Sequence, residues 1–105
     1  MANRIEIVQG NGLPILDTIR DSNGDLVTAT LTGVLNIFNP DGSVLLTKTA
    51  SSITSSIATF TILSSETANF PAPSVLKYEI VYTYTDGEIF NGLNDVIQVI
   101  RNSNG

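Results

Sequence analysis

The sequence predicts an all-β fold, an immunoglobulin-like antiparallel β-sandwich of seven or eight short strands with one short helical turn. Three observations carry this. Apolar and polar residues alternate with period two in run after run, the pattern of strands with one face buried. Clusters of Gly, Asn, Asp and Pro punctuate those runs at the spacing usual for sandwich folds. A single stretch, Ser64 to Asn69, carries helix-start chemistry, and Pro71 and Pro73 stop it after about one turn.

Taken in order, Ile5 to Gln9 alternates as a half-buried strand and is broken by Gly10-Asn11-Gly12. Leu13 to Arg20 is a second strand, with Pro14 near its start where a missing backbone donor is tolerated. Asp21-Ser22-Asn23-Gly24-Asp25 is a turn. Leu31 to Phe38 is a third strand, whose adjacent Val34 and Leu35 leave open which side faces inward. Asn39-Pro40-Asp41-Gly42 is the clearest hairpin signal, returning into Val44 to Thr49. Ser51 to Ser56, small and polar, reads as a loop or a weak edge, and Ile57 to Ile62 alternates again. In the helical turn, Ser64 is the expected cap and Glu66 favours the first turn. Tyr78, Ile80, Tyr82 and Tyr84 then share one face of a long strand, with Lys77, Glu79, Val81 and Thr83 on the other. Asp86-Gly87 closes a hairpin onto Ile89-Phe90, and Val96 to Ile100, apolar on both faces, reads as a last and central strand.

At 105 residues the chain has the size of one domain, 1–105, with about 101–105 a polar tail. It has neither Cys nor His. Disulfides, thiolate nucleophiles and the commonest acid/base and metal-binding side chain are thereby excluded, and the redox compartment stays open. Ten acidic against five basic residues, the latter scattered as Arg4, Arg20, Lys48, Lys77 and Arg101, argue against nucleic acid, which needs a clustered positive face. No apolar run approaches a membrane span or a signal-peptide core. With 14% charged residues, the surface leans on Ser, Thr and Asn, which desolvate readily against a protein neighbour.

Two arrangements could carry chemistry, and both read better as turns. Asp21, Asn23 and Asp25 have the opening spacing of a calcium loop, but Leu26 and Thr32 stand where that loop needs Gly and Glu. Glu79 with Asp86, or Glu88 with Asp95, would be carboxylate pairs only across a substrate cleft, which a small sandwich lacks. The expectation is therefore no catalytic residue, no metal and no cofactor. The candidate contact residues are Tyr82, Tyr84, Phe90 and Phe70. Along the tyrosine row, Tyr78 and Ile80 are read as core, Tyr78 as a corner tyrosine, and Tyr84 as the surface anchor nearest the turn. Phe70 is a plug over the end of the sandwich or an exposed anchor, the plug being the plainer reading.

Three turns share one design, a tight bend running into apolar residues: Ser22-Asn23-Gly24-Asp25-Leu26, Pro40-Asp41-Gly42-Ser43-Val44 and Thr85-Asp86-Gly87-Glu88-Ile89. With Gln9-Gly10 before the second strand, Leu31-Thr32-Gly33 in the third, and Ser65-Glu66-Thr67 leading through Pro71 into Tyr78-Glu79-Ile80, the order resembles the N-terminal domain of tailed-phage baseplate upper proteins and related phage immunoglobulin-like modules. Ser74-Val75-Leu76 departs from that pattern, which usually has Gly before the Tyr-bearing strand, and no receptor-binding region follows. The resemblance implies a non-enzymatic virion protein, made in the host cytoplasm. Its free-standing form is similar to small phage proteins that decorate or cement capsids, or that fit between tail parts. Its expected partners are the major capsid protein or tail and baseplate proteins, with self-association open. A carbohydrate-binding module using Tyr82, Tyr84 and Phe90 is the alternative of another class, weakened by the absence of Trp.

Overall fold

The structure is a computed structural model and describes residues 5–21, 23–28 and 31–101, excepting the side chains of Phe90, Leu93 and Asn94. The chain runs β1 (Ile5–Val8), β2 (Leu13–Thr18), β3 (Leu31–Phe38), β4 (Val44–Thr49), β5 (Ser52–Thr54), β6 (Ile57–Ile62), α1 (Ser64–Thr67), β7 (Ser74–Tyr84) and β8 (Ile89–Ile100). These strands form a sandwich of two sheets, one ordered β1-β8-β7-β3-β4 and the other β2-β6-β5. Reading β2, β6 and β5 as strands B, E and D, and β8, β7, β3 and β4 as G, F, C and C′, the order is that of an immunoglobulin-like sandwich.

The pairing corrects one expectation. The sandwich is not wholly antiparallel, because β1 lies parallel to β8, with Ile5 beside Ile97 and Val8 beside Ile100. Gln9 extends that pairing by donating to the Ile100 carbonyl at 2.8 Å, after which the chain crosses to the other sheet. The arrangement covers the free edge of β8 and makes it an interior strand, as its apolar composition predicts. Ile89-Phe90 and Val96–Ile100 are one continuous strand, with a register shift opposite Glu79 and Val81.

The three similar turns have one hydrogen-bond pattern. In each, the first residue donates to the carbonyl of the fifth, and the fourth, a glycine, donates back to the carbonyl of the first: Asp21, Gly24 and Asp25; Asn39, Gly42 and Ser43; Tyr84, Gly87 and Glu88. Gly24, Gly42 and Gly87 have φ of 85°, 93° and 94°, the region only glycine enters without strain. This pair of hydrogen bonds, with a glycine at positive φ, is the pattern of a three-residue hairpin loop closed by a glycine bulge. Carboxylates brace all three. Asp41 and Asp86 accept the amides of Ser43 and Glu88 at 2.9 Å, and Asp21 accepts those of Asn23 and Asp25. The Ser43 hydroxyl and amide hold the Asp41 carboxyl below its ordinary value. Ser22 lies outside the described residues.

Ser51 to Ser56 holds the short edge strand β5, joined to β6 by Ser55 and Ser56 at φ of 53° and 66°. Ser56 is buried and its hydroxyl donates to the Val27 carbonyl at 2.6 Å, which offsets the strain of that backbone. The helical turn forms where expected, but Ser64 is its first helical residue, not its cap. Leu63 holds the extended cap conformation, and its amide donates to Glu66 Oε1 at 2.8 Å. That amide chiefly, and the Lys48 ammonium 3.0 Å away, hold the Glu66 carboxyl below its ordinary value. Thr67, fully buried, ties the turn to the β1–β2 loop by accepting from the Gly10 amide and donating to the Asn11 carbonyl.

Between the layers lies one core. Leu35 and Ile37 settle the face of β3, with Leu35 inward and Val34 outward. They meet Ile15, Phe60, Ile62, Leu76, Tyr78, Ile80, Tyr82, Ile97 and Val99, each at most 2% exposed. Phe70 is also 2% exposed and closes one end, its carbonyl bonded by the Gln9 side chain at 2.8 Å. The polar tail, beyond Arg101, lies outside the described residues.

Candidate interaction surfaces

The structure does not bring the contact candidates together on a surface. Tyr82 is fully buried, and Phe70 is the plug. Tyr84 points inward from the end of β7 and packs half-buried against the core. The Phe90 side chain lies outside the described residues. The period-two row ending at Tyr84 belongs to the inner face of the sheet, so its aromatics fill the sandwich.

Tyr82 instead links the two layers. Its hydroxyl, on β7, donates to Asp17 Oδ2 on β2 at 2.6 Å, across 65 residues of sequence. Its ring lies between glycines of the two flanking strands. A Cβ on Gly33 of β3 would come within 2.9 Å of the ring, and one on Gly92 of β8 within 2.4 Å. Only the absence of both Cβ atoms lets the ring lie in this slot. A shallow cleft of about 280 Å³ opens beside it, lined by Asp17, Arg20, Asn91 and Gly92 among others. The acidic hydrogen-bond partner in that cleft is already engaged by the phenol.

Tyr78 is not a corner tyrosine. It sits within β7, fully buried, and its hydroxyl has no hydrogen-bond partner among the described residues. Burial, and then the carboxylates of Asp95 and Asp17, push that phenol up to about 12 from 10.0. Burial and the bond to Asp17 raise Tyr82 likewise. Both groups bind protons more tightly folded than unfolded, so their contribution is full below pH of about 10 and is lost as pH rises toward and past 12. The thermal midpoint is expected to fall steeply above pH 10, with tyrosinate absorbance appearing together with unfolding. A midpoint unchanged up to pH 11.5 would contradict this.

Among the described residues, no layer covers the outer faces of the two sheets. On the three-stranded sheet, Pro14, Leu16 and Thr18 of β2 stand beside Thr61, Thr59 and Ile57 of β6, with Ser52 and Thr54 of β5 completing the rows. None of these carries a charge, and Leu16 is 60% exposed. On the five-stranded sheet, one row crosses four strands as Val44, Phe38, Lys77 and Val96, and the Val34–Val81 pair lies near it. Val44 and Val75 are about half exposed there. Sequence reasoning missed this face because β8, apolar on both sides, was read as central. It is interior to its sheet, second in the order beside the central β7, yet a two-layer sandwich leaves the outer side of even an interior strand bare.

Among the described residues no helix is long and apolar enough to cross a membrane. Comparison with protein-family models and with curated protein sequences finds no match to this chain.

Proposed function

We propose that the chain is a non-catalytic accessory protein of a bacteriophage virion, a decoration or cement protein that binds the outer capsid shell in many copies. The observation that carries the adhesive part is the charge-free outer face of the three-stranded sheet, from Pro14 and Leu16 to Thr59 and Ile57. Interface cores are depleted of charge, and hydroxyl-rich strands desolvate at low cost. Three strands about 4.8 Å apart and some five residues long make a face of only about 240 Å². One such contact falls well short of a standard interface, so binding depends on many weak contacts acting together, as on a repeating shell.

The virion setting is supported by the resemblance carried in the three turns, and it favours a second reading as well. A tail or baseplate adaptor is the role nearest to the domains resembled. The carbohydrate-binding reading loses Tyr82, which is buried away from any sugar platform. Electron microscopy of virions labelled against this protein separates the first two. Label over the whole head supports decoration, and label confined to the tail tip supports the adaptor. Glycan-array binding with no virion label would overturn both.

A further inference from the structure

We infer that the outer face of the five-stranded sheet pairs with the same face of a second copy, forming an isologous two-fold dimer. This goes beyond the virion reading and does not depend on it. An antiparallel face left to solvent should be polar, yet this one carries two apolar groups outside the core cluster, Phe38 with Val75 and Val96, and Val34 beside Val81, on either side of the polar Asn36–Glu79 row.

Charge points to a like partner. The chain carries a net −5, so two copies repel unless their contact is locally balanced. The central strand β7 pairs opposite charges by presenting Lys77 and Glu79 outward, two residues apart, while the third charge of the face, Glu6 in register with Gln98, stands on the β1 edge clear of that pair. A two-fold axis lying between the sheets, perpendicular to the strands and level with Tyr78, sets Lys77 of each copy over Glu79 of the other. An isologous contact requires this kind of self-complementarity.

Size agrees. The molecule is 24 Å across its shorter axes. From Val75 to Thr83 the strands run about 30 Å, so the face covers about 700 Å² and a dimer buries about 1,400 Å² in total, a standard interface. The charge-free face on the other sheet is too small to hold a stable dimer by itself. Dimerisation through the five-stranded sheet would leave two such faces free, one on each side, making every particle contact bivalent.

Sedimentation velocity of the purified chain between about 1 and 100 µM tests the proposal, and a species of twice 11.2 kDa is expected. Val44→Lys/Val75→Lys places cations at positions 56% and 48% exposed, so the fold tolerates them. This pair also lowers the net negative charge, so a lost dimer cannot be blamed on overall repulsion. It is expected to weaken dimerisation about 100-fold or more, whereas Leu16→Lys on the opposite face leaves the dimer intact. Lys77→Glu alone should weaken it about 10-fold, and Lys77→Glu/Glu79→Lys should restore it. A wild-type monomer throughout that range, a dimer untouched by the two valine changes, or a charge swap without recovery would each overturn the proposal. Unchanged thermal midpoints establish that each variant is folded.

Discussion

Tyr82→Ala is expected to lower the free energy of unfolding by about 3–5 kcal/mol, as truncation of a buried aromatic does. The residue is fully buried, fills a slot between β3 and β8, and ties β7 to β2 through Asp17. Tyr82→Phe separates the two contributions. It keeps the ring, removes the 2.6 Å hydrogen bond, and should lose about 1.5–3 kcal/mol. Small domains are stable by about 5–15 kcal/mol, so the alanine variant is expected near the limit of folding. Urea denaturation followed by tyrosine fluorescence measures both changes. A loss under 1 kcal/mol for Tyr82→Ala would mean the ring is not the link between the layers.

Gly92→Ala should be the most damaging addition of a single methyl group. The new Cβ would stand 2.4 Å from Tyr82 Cε2 and 3.0 Å from Asp17 Oδ2, and an aromatic ring fixed at both ends cannot move aside as a flexible side chain would. A loss of about 3 kcal/mol is expected, against the fraction of a kcal/mol that alanine ordinarily gains over glycine in a strand. Gly33→Ala, at 2.9 Å from the ring, should cost about 1–2 kcal/mol. In a Tyr82→Ala background the Gly92 substitution should become nearly neutral, a coupling of about 2–3 kcal/mol in a double-mutant cycle. Additive losses would show that Gly92 serves some other purpose.

The elements were legible where their signals are local. Each of the three hairpin turns carries its glycine at the position that needs positive φ, and β6 and the tyrosine-bearing row of β7 follow the period-two pattern. The parallel pairing of β1 with β8 was not legible, because nothing in Ile5–Val8 distinguishes an antiparallel neighbour from a parallel one more than ninety residues away. The cap at Leu63 was hidden for a different reason. The Glu66 side chain bonds the cap amide while a leucine occupies the cap itself, so no favoured residue type marks the position.

At the contact surfaces the difficulty was one of layers. Alternation places Tyr78, Ile80, Tyr82 and Tyr84 on one face but does not tell which face is covered, and the count of buried places decides it. Gly33 and Gly92 mark Tyr82 as internal only once the strands are in register, since the three residues lie on three different strands. The outward Leu16 was not legible, because its neighbour Asp17 is polar yet faces inward to Tyr82, and the charge-free face it belongs to is assembled from β2, β5 and β6 and emerges only from their pairing.

Co-sedimentation of the purified protein with phage particles lacking it tests the proposed adhesion through the charge-free face of the three-stranded sheet. The wild type should sediment with the particles in many copies. Leu16→Lys/Thr61→Lys, which places two charges on neighbouring rows of that face at exposed positions that are not directly opposed, should reduce bound protein at least about 10-fold while the protein stays folded. Wild-type protein left wholly in the supernatant, or a doubly substituted protein that binds as well as the wild type, would contradict the account.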